Sequence, residues 1–130
     1  MTKNLAFVFA ALCGTTVSAQ CAVLEVISTN SSLTFAITGA QADQFAFLIL
    51  GQAAGSSSAQ LGPFGTINFG MADPWVPYPL GMTGAAGVAR VGIVPPSLPS
   101  DVFFYGQGLT LGISPTLNSC TTNVVAFRIG

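Results

Sequence analysis

The sequence predicts an all-β fold: a single antiparallel β-sandwich of about seven strands with Greek-key-like connections. After residue 20, hydrophobic residues alternate with a period of two over most of the chain, which is typical of strands with one buried face. Turns rich in glycine and proline separate these runs at short intervals, as in sandwiches and small barrels. No helix start signal followed by a 3.6-residue period occurs after residue 20, so no helix is predicted there.

Three of the predicted strands have one face clearly different from the other. Residues 33–38 alternate Leu, Phe and Ile with Thr and Ala, and residues 124–129 show a similar alternation at the C-terminus. Residues 103–114 carry larger side chains on one face, whereas the other face has three glycines together with Phe104, Thr110 and Ser114. A face that small allows another backbone or side chain to approach closely.

Two further runs, 45–50 and 88–94, are apolar on both faces, apart from Arg90 in the second. Such runs favour central strands, because their β-branched and aromatic residues suit a sheet that is covered on both sides. Residues 22–28 and 65–70 complete the set of about seven strands. We interpret the Gly-, Ala- and Ser-rich tract 51–60 as a flexible loop.

Residues 73–79 contain prolines at positions 74, 77 and 79, each of which removes a backbone donor, so we expect an extended loop or an edge strand. This segment holds the candidate contact residues Asp73, Trp75 and Tyr78. Aromatic faces flanked by prolines can stack on a sugar ring or on another protein. The alternative is that Trp75 simply caps the end of the core.

The first 19 residues have the features of a cleaved signal peptide. Lys3 precedes an apolar run at residues 5–12, and the small-residue sequence Val17-Ser-Ala19 follows it. The run is too short for a transmembrane helix, which needs roughly 20 apolar residues. We therefore expect a signal peptide at 1–19, one domain at 20–130, and a location that is secreted, at the cell surface or periplasmic, with no membrane contact after cleavage.

Cleavage would remove Cys13 and leave Cys21 and Cys120 as the only cysteines. In an exported chain this pair predicts a disulfide, here between the first strand and the loop before the last one. The alternative of a redox-active or metal-binding thiol pair lacks the close Cys-x-x-Cys spacing and any histidine partner.

Charged residues are scarce, with 3 Lys or Arg, 4 Asp or Glu and no His in 130 residues. That count excludes a basic nucleic-acid binder and any histidine-based chemistry. A Ser or Cys nucleophile would lack a general base, since the only lysine lies in the predicted signal peptide. A carboxylate glycosidase or a calcium site could draw only on Glu25, Asp43, Asp73 and Asp101, which form no clustered motif. We predict no enzyme activity, no metal and no cofactor.

Six short motifs lie between residues 30 and 130: Thr38-Gly-Ala40, Phe47-Leu-Ile-Leu-Gly51, Gly87-Val-Ala89, Pro95-Pro96, Phe104-Tyr-Gly-Gln107 and Ile129-Gly130. In these motifs the chain resembles a weakly characterised group of β-sandwich modules in exported bacterial proteins. The resemblance implies an extracellular β-sandwich without known catalytic residues. Those modules often end larger chains, whereas here the module follows its predicted signal peptide directly.

The scarcity of charged residues also suggests how the protein contacts its partners. Exposed β edges are usually protected from pairing by lysine and other charged residues, and few are available here. We therefore expect a secreted structural or interaction module. Its edges or apolar faces would contact copies of itself or a cell-surface polymer. The alternative is a carbohydrate-binding module that uses Trp75 and Tyr78.

Overall fold

The structure is a computed structural model that describes residues 21–29, 32–95, 101–113 and 116–129. The predicted signal peptide at residues 1–19 lies outside the described residues. The described chain contains nine strands and one 3₁₀ turn at Gly62–Phe64. The strands are β1 (Val23–Ser28), β2 (Leu33–Thr38), β3 (Phe45–Gly51), β4 (Ala54–Gln60), β5 (Thr66–Met71), β6 (Trp75–Met82), β7 (Ala89–Ile93), β8 (Val102–Gly112) and β9 (Asn118–Ile129).

All six strand pairings are antiparallel, and the predicted all-β sandwich is confirmed. One sheet has the order β9-β8-β3-β6, the second has the order β1-β2-β7, and β4 and β5 form a separate hairpin. Neighbours such as β2 and β7, or β3 and β8, are distant in sequence, as in Greek-key arrangements. Each of the seven predicted segments contains a strand, and β4 and β6 raise the number to nine.

The four-stranded sheet is covered on both faces. Between the two sheets lies an inner cluster that includes Leu24, Phe35, Ile37 and Leu48. On the other face the hairpin residues Ile67, Phe69 and Met71 pack with Ile49 and Leu109 in an outer cluster. Successive residues of β3 therefore point into different clusters, which explains why residues 45–50 are apolar on both faces.

The prediction of a flexible loop at residues 51–60 is wrong, because residues 54–60 form β4 and pair with β5. Gly, Ala and Ser give this tract little intrinsic strand preference. Pairing with β5, whose apolar side is fixed against the four-stranded sheet, supplies the stabilisation that the side chains of β4 lack. The Ser57 hydroxyl adds a hydrogen bond to the carbonyl oxygen of Met71.

The proline-rich segment forms β6, which is an edge strand as predicted and pairs only with β3 within the described residues. Pro77 and Pro79 are two residues apart and so share one side of the strand. Both prolines can therefore occupy positions whose backbone nitrogen faces away from β3, where no ladder hydrogen bond is needed. Val76 and Tyr78 lie at the alternate positions, whose N–H groups face β3.

The glycine-rich face of β8 allows close packing, as predicted. A Cβ atom on Gly108 would lie 2.8 Å from the side-chain methyls of both Ile37 and Thr122. Opposite Gly108, β9 has a bulge in which Thr122 and Asn123 face this single residue. The Gly108 N–H donates to the Thr122 hydroxyl at 2.7 Å, which keeps a ladder-type bond in place at the bulge.

Cys21 and Cys120 form the predicted disulfide, with their Cα atoms 5.8 Å apart. Cys120 lies within β9 and not in the loop before it, so the bond joins the entrance of β1 directly to the last strand. Beside the bond, β1 lies against β9, and on the other side of the sandwich β6 approaches β7. The two sheets therefore approach each other along both sides.

One end of the sandwich, which we call the closed end, is filled by the turns after β2 and β6. The Gln44 backbone N–H donates to the Thr83 hydroxyl at 3.0 Å, and that hydroxyl donates to the Gln41 carbonyl oxygen at 2.8 Å. The Gln44 amide also donates to the Asn118 side-chain oxygen at 2.8 Å. Gln44 and Thr83 are buried, so their hydrogen bonds form a polar plug at this end.

Candidate functional site

The opposite end, which we call the open end, contains a cleft of about 430 Å³ between the two sheets. We call it the end cleft. Six strands contribute to its lining, which includes the apolar residues Leu33, Phe35, Leu50, Phe104, Phe127 and Ile129. Trp75, Val76 and Pro95 line it as well.

Strand register explains why these residues meet. Leu50 lies directly opposite Val76, Phe104 opposite Phe127, and Leu33 opposite Ile93, so three cross-strand pairs line the cleft. Directly paired residues share a face of their sheet, and these pairs are all near strand ends. The apolar inner faces thus continue past the inner cluster into an opening.

Aromatic contacts fix the lining of the cleft. The Phe127 ring meets the Phe35 ring edge-on at a centroid distance of 5.0 Å and stacks on Phe104 at 5.9 Å. Phe35 comes from the three-stranded sheet and the other two from the four-stranded sheet. These contacts join the two sheets beside the cleft and limit the movement of its lining.

Among the residues that the structure describes, none that lines the cleft is charged, and Gln52 is the only one there with a carboxamide side chain. Arg128 lies between the lining residues Phe127 and Ile129, but strand alternation directs its side chain to the other face of the sheet. There its guanidinium donates to Asp101 at 3.2 Å in an exposed ion pair. The lining is therefore electrically neutral.

The end cleft is much larger than the packing defects found in protein interiors. Protein interiors hold few voids larger than a water molecule. If a volume of 430 Å³ were enclosed and empty, it would cost about 10 kcal/mol at roughly 24 cal/mol per Å³. That cost is comparable to the whole stability of a domain. The opening to solvent lowers it, but the apolar lining is still poorly suited to contact with water.

Trp75 connects the end cleft to the hairpin. Its indole N–H donates to the Ser57 hydroxyl of β4 at 2.9 Å, and its ring lies 4.9 Å from that of Phe69 in β5. The side chain is half-buried and packs against the outer cluster while also lining the cleft. Trp75 is thus held by packing on one side and faces the opening on the other.

The structure does not place the predicted contact residues on one surface. Trp75 is opposite Gly51 and Tyr78 is opposite Leu48, so alternation puts them on different faces of the four-stranded sheet. Tyr78 is 42% exposed and is not part of the cleft lining. Asp73 is exposed in the bend before β6. Trp75 is the only one of the three that lines the cleft.

The described residues contain no group of three or more His, Cys, Asp or Glu side chains placed to hold a metal ion. That same part of the chain has no helix that is long and apolar enough to cross a membrane.

The fold and the cleft define an all-β, disulfide-bonded domain with one plugged end and one apolar, open end. Comparison with known protein families, with curated proteins and with solved structures finds no match for the chain. The resemblance of residues 30 to 130 to exported bacterial modules therefore stays an expectation from sequence.

Proposed function

We propose that the protein is a non-catalytic interaction module that acts outside the cytoplasm and associates with copies of itself through the free edge of β4. One observation carries the proposal. Within the described residues, β4 has β5 as its only ladder neighbour, and its seven residues include no charge and no proline. Its backbone N–H and C=O groups on the other side are available to a further strand.

The other sheet edges of the described residues are less suited to pairing. β5 also has a single ladder neighbour, but it lies close to β8 and β9, and its Gly70 N–H already donates to the Gln107 side-chain oxygen. On β6, Pro77 and Pro79 interrupt the donors. The edges of β1 and β9 lie against each other and are connected by the disulfide. β7 has only five residues and carries Arg90. This comparison favours β4 as the edge at which a second chain would add.

The side chains of β4 also favour pairing with an identical strand. They are small and mostly exposed, so two copies can approach without steric conflict or charge repulsion. A copy of the same edge in antiparallel orientation gives an isologous contact, which closes as a two-fold dimer.

The proposed location and the lack of catalysis rest on other features. The disulfide is of a kind that persists in oxidising compartments outside the cytoplasm. The sequence offers no histidine, and its single lysine is Lys3. The carbohydrate-binding alternative takes second place, because Trp75 and Tyr78 lie on different faces and do not form a common stacking surface.

Sedimentation velocity over a range of protein concentrations tests self-association. We expect the wild type to form dimers or larger species as concentration rises, and Ser58→Lys, which puts a charge on the exposed edge, to remain monomeric. Ala85→Lys adds the same charge in an exposed turn and should associate like the wild type. A wild type that is monomeric at every concentration, or equal association of all three proteins, would refute the proposal.

A further inference from the structure

We infer that the end cleft is a binding site for an uncharged, apolar small molecule of hydrocarbon character. This inference goes beyond the proposed self-association, which uses the edge of β4, and it rests on different residues. Its basis is the volume, the lining and the rigidity of the cleft.

The volume fits a small ligand. Pockets for small molecules are usually concave, largely apolar and roughly 300 to 1,000 Å³ in size. The end cleft, at about 430 Å³, lies within this range and opens to solvent at one end of the sandwich. A ligand can therefore enter without separation of the two sheets.

The lining selects against charge. None of the lining residues is charged, and the nearby side chain of Arg128 is directed to the other face, where it pairs with Asp101. An ionised group inside the cleft would lose its hydration without gaining a partner. The buried part of the ligand is accordingly neutral.

The lining also selects against a ligand with many hydroxyl groups. Among the lining side chains, Gln52 and Trp75 carry polar atoms, and the Trp75 N–H already donates to Ser57. A sugar would leave most of its hydroxyls without a side-chain partner. Hydrocarbon chains and rings need no such partners and would instead contact Phe35, Phe104 and Phe127.

The site is formed before any ligand arrives. Its residues lie on strands of both sheets, and the contacts of Phe127 with Phe35 and Phe104 hold the lining in place. Little ordering would be needed on binding, which favours affinity.

Titration with N-phenyl-1-naphthylamine, an uncharged apolar fluorescent probe, tests the inference. We expect saturable binding of one probe per chain, with a change in the emission of Trp75, the single tryptophan of the protein. 1-Dodecanol should displace the probe and glucose should not. Absence of saturable binding, or displacement by glucose, would overturn the inference.

Two matched variants locate the probe. Val76 is 59% exposed and lines the cleft, so Val76→Arg should fold normally and weaken probe binding at least tenfold. Tyr78→Arg puts the same charge on the same strand outside the cleft and should leave affinity unchanged within a factor of two. Equal affinities of the two variants would contradict binding in the cleft.

The same titration in Ser58→Lys separates this inference from the proposed self-association. Unchanged affinity in that variant supports the cleft as the site, whether or not the wild type associates. Loss of probe binding in Ser58→Lys would place the probe at the β4 edge and overturn the inference.

Discussion

The side-chain amide of Asn123 forms hydrogen bonds with both backbone polar groups of Leu24. Its oxygen accepts from the Leu24 N–H at 2.9 Å, and its nitrogen donates to the Leu24 carbonyl at 3.1 Å. The two residues are 99 positions apart, the same separation as Cys21 and Cys120, which lie three residues earlier in each segment of the chain. The amide therefore pairs β1 with β9 where no backbone ladder joins them.

Replacing Asn123 with alanine should lower the free energy of unfolding by about 1–3 kcal/mol, because it leaves a part-buried donor and acceptor without partners. Urea unfolding of the oxidised protein measures the change. Asn68→Ala, at an exposed position on β5, should differ from wild type by less than about 0.5 kcal/mol. Equal losses in the two variants would show that Asn123 has no special role.

Removing the disulfide by Cys21→Ser with Cys120→Ser should destabilise the domain by about 2–5 kcal/mol, because the bond closes a loop of 99 residues in the unfolded chain. Thermal unfolding should show a lowered midpoint, and wild type treated with a reductant should show the same shift. An unchanged midpoint in both samples would mean that the contacts between β1 and β9 suffice without the bond.

Gly108→Ala should cost about 1–3 kcal/mol, since the added methyl would overlap Ile37 and Thr122 between packed strands. Gly92→Ala is the matched control, because its Cβ would have only the Thr34 hydroxyl nearby, at 3.9 Å. The control should be neutral or more stable by up to about 1 kcal/mol, through a less flexible unfolded chain. Denaturant unfolding measures both changes. A midpoint for Gly108→Ala equal to or higher than that for Gly92→Ala would refute the packing argument.

Arg128→Gln should change the free energy of unfolding by less than about 1 kcal/mol, although it breaks an ion pair. The side chains of Arg128 and Asp101 are 67% and 49% exposed, so water and salt screen most of the attraction. Unfolding curves at low and high salt measure the effect. A larger loss that disappears at high salt would show that the pair is stronger than its exposure implies.

Much of the fold could be predicted because its strands have one-sided or two-sided apolar patterns. Residues 33–38 and 45–50 are clear cases, and the disulfide followed from the two cysteines outside the predicted signal peptide. β4 could not be predicted from its own residues. Its Gly, Ala and Ser side chains have no hydrophobic period, and its strand conformation depends on pairing with β5.

The end cleft could not be predicted because it depends on register. Leu33, Leu50 and Phe127 each read as ordinary core residues of their own strands. They come together only because the strands end at the same level and the turns fill the other end of the sandwich. The proline-rich setting of Trp75 marks it as a candidate contact residue, but its hydrogen bond to Ser57 depends on β4, which the sequence does not predict.

The position of the β4–β5 hairpin in the chain has a consequence for how safely the protein folds. Phe45–Leu50 is an uncharged, proline-free run with the composition of segments that aggregate when exposed. The hairpin that covers one face of this run is formed by the next two strands of the chain. Because loop closure costs less between near neighbours in sequence, we expect the hairpin to pack on this run before a distant strand such as β8 pairs with it. The aggregation-prone run Phe45–Leu50 is therefore followed directly in the chain by the hairpin that covers one of its faces.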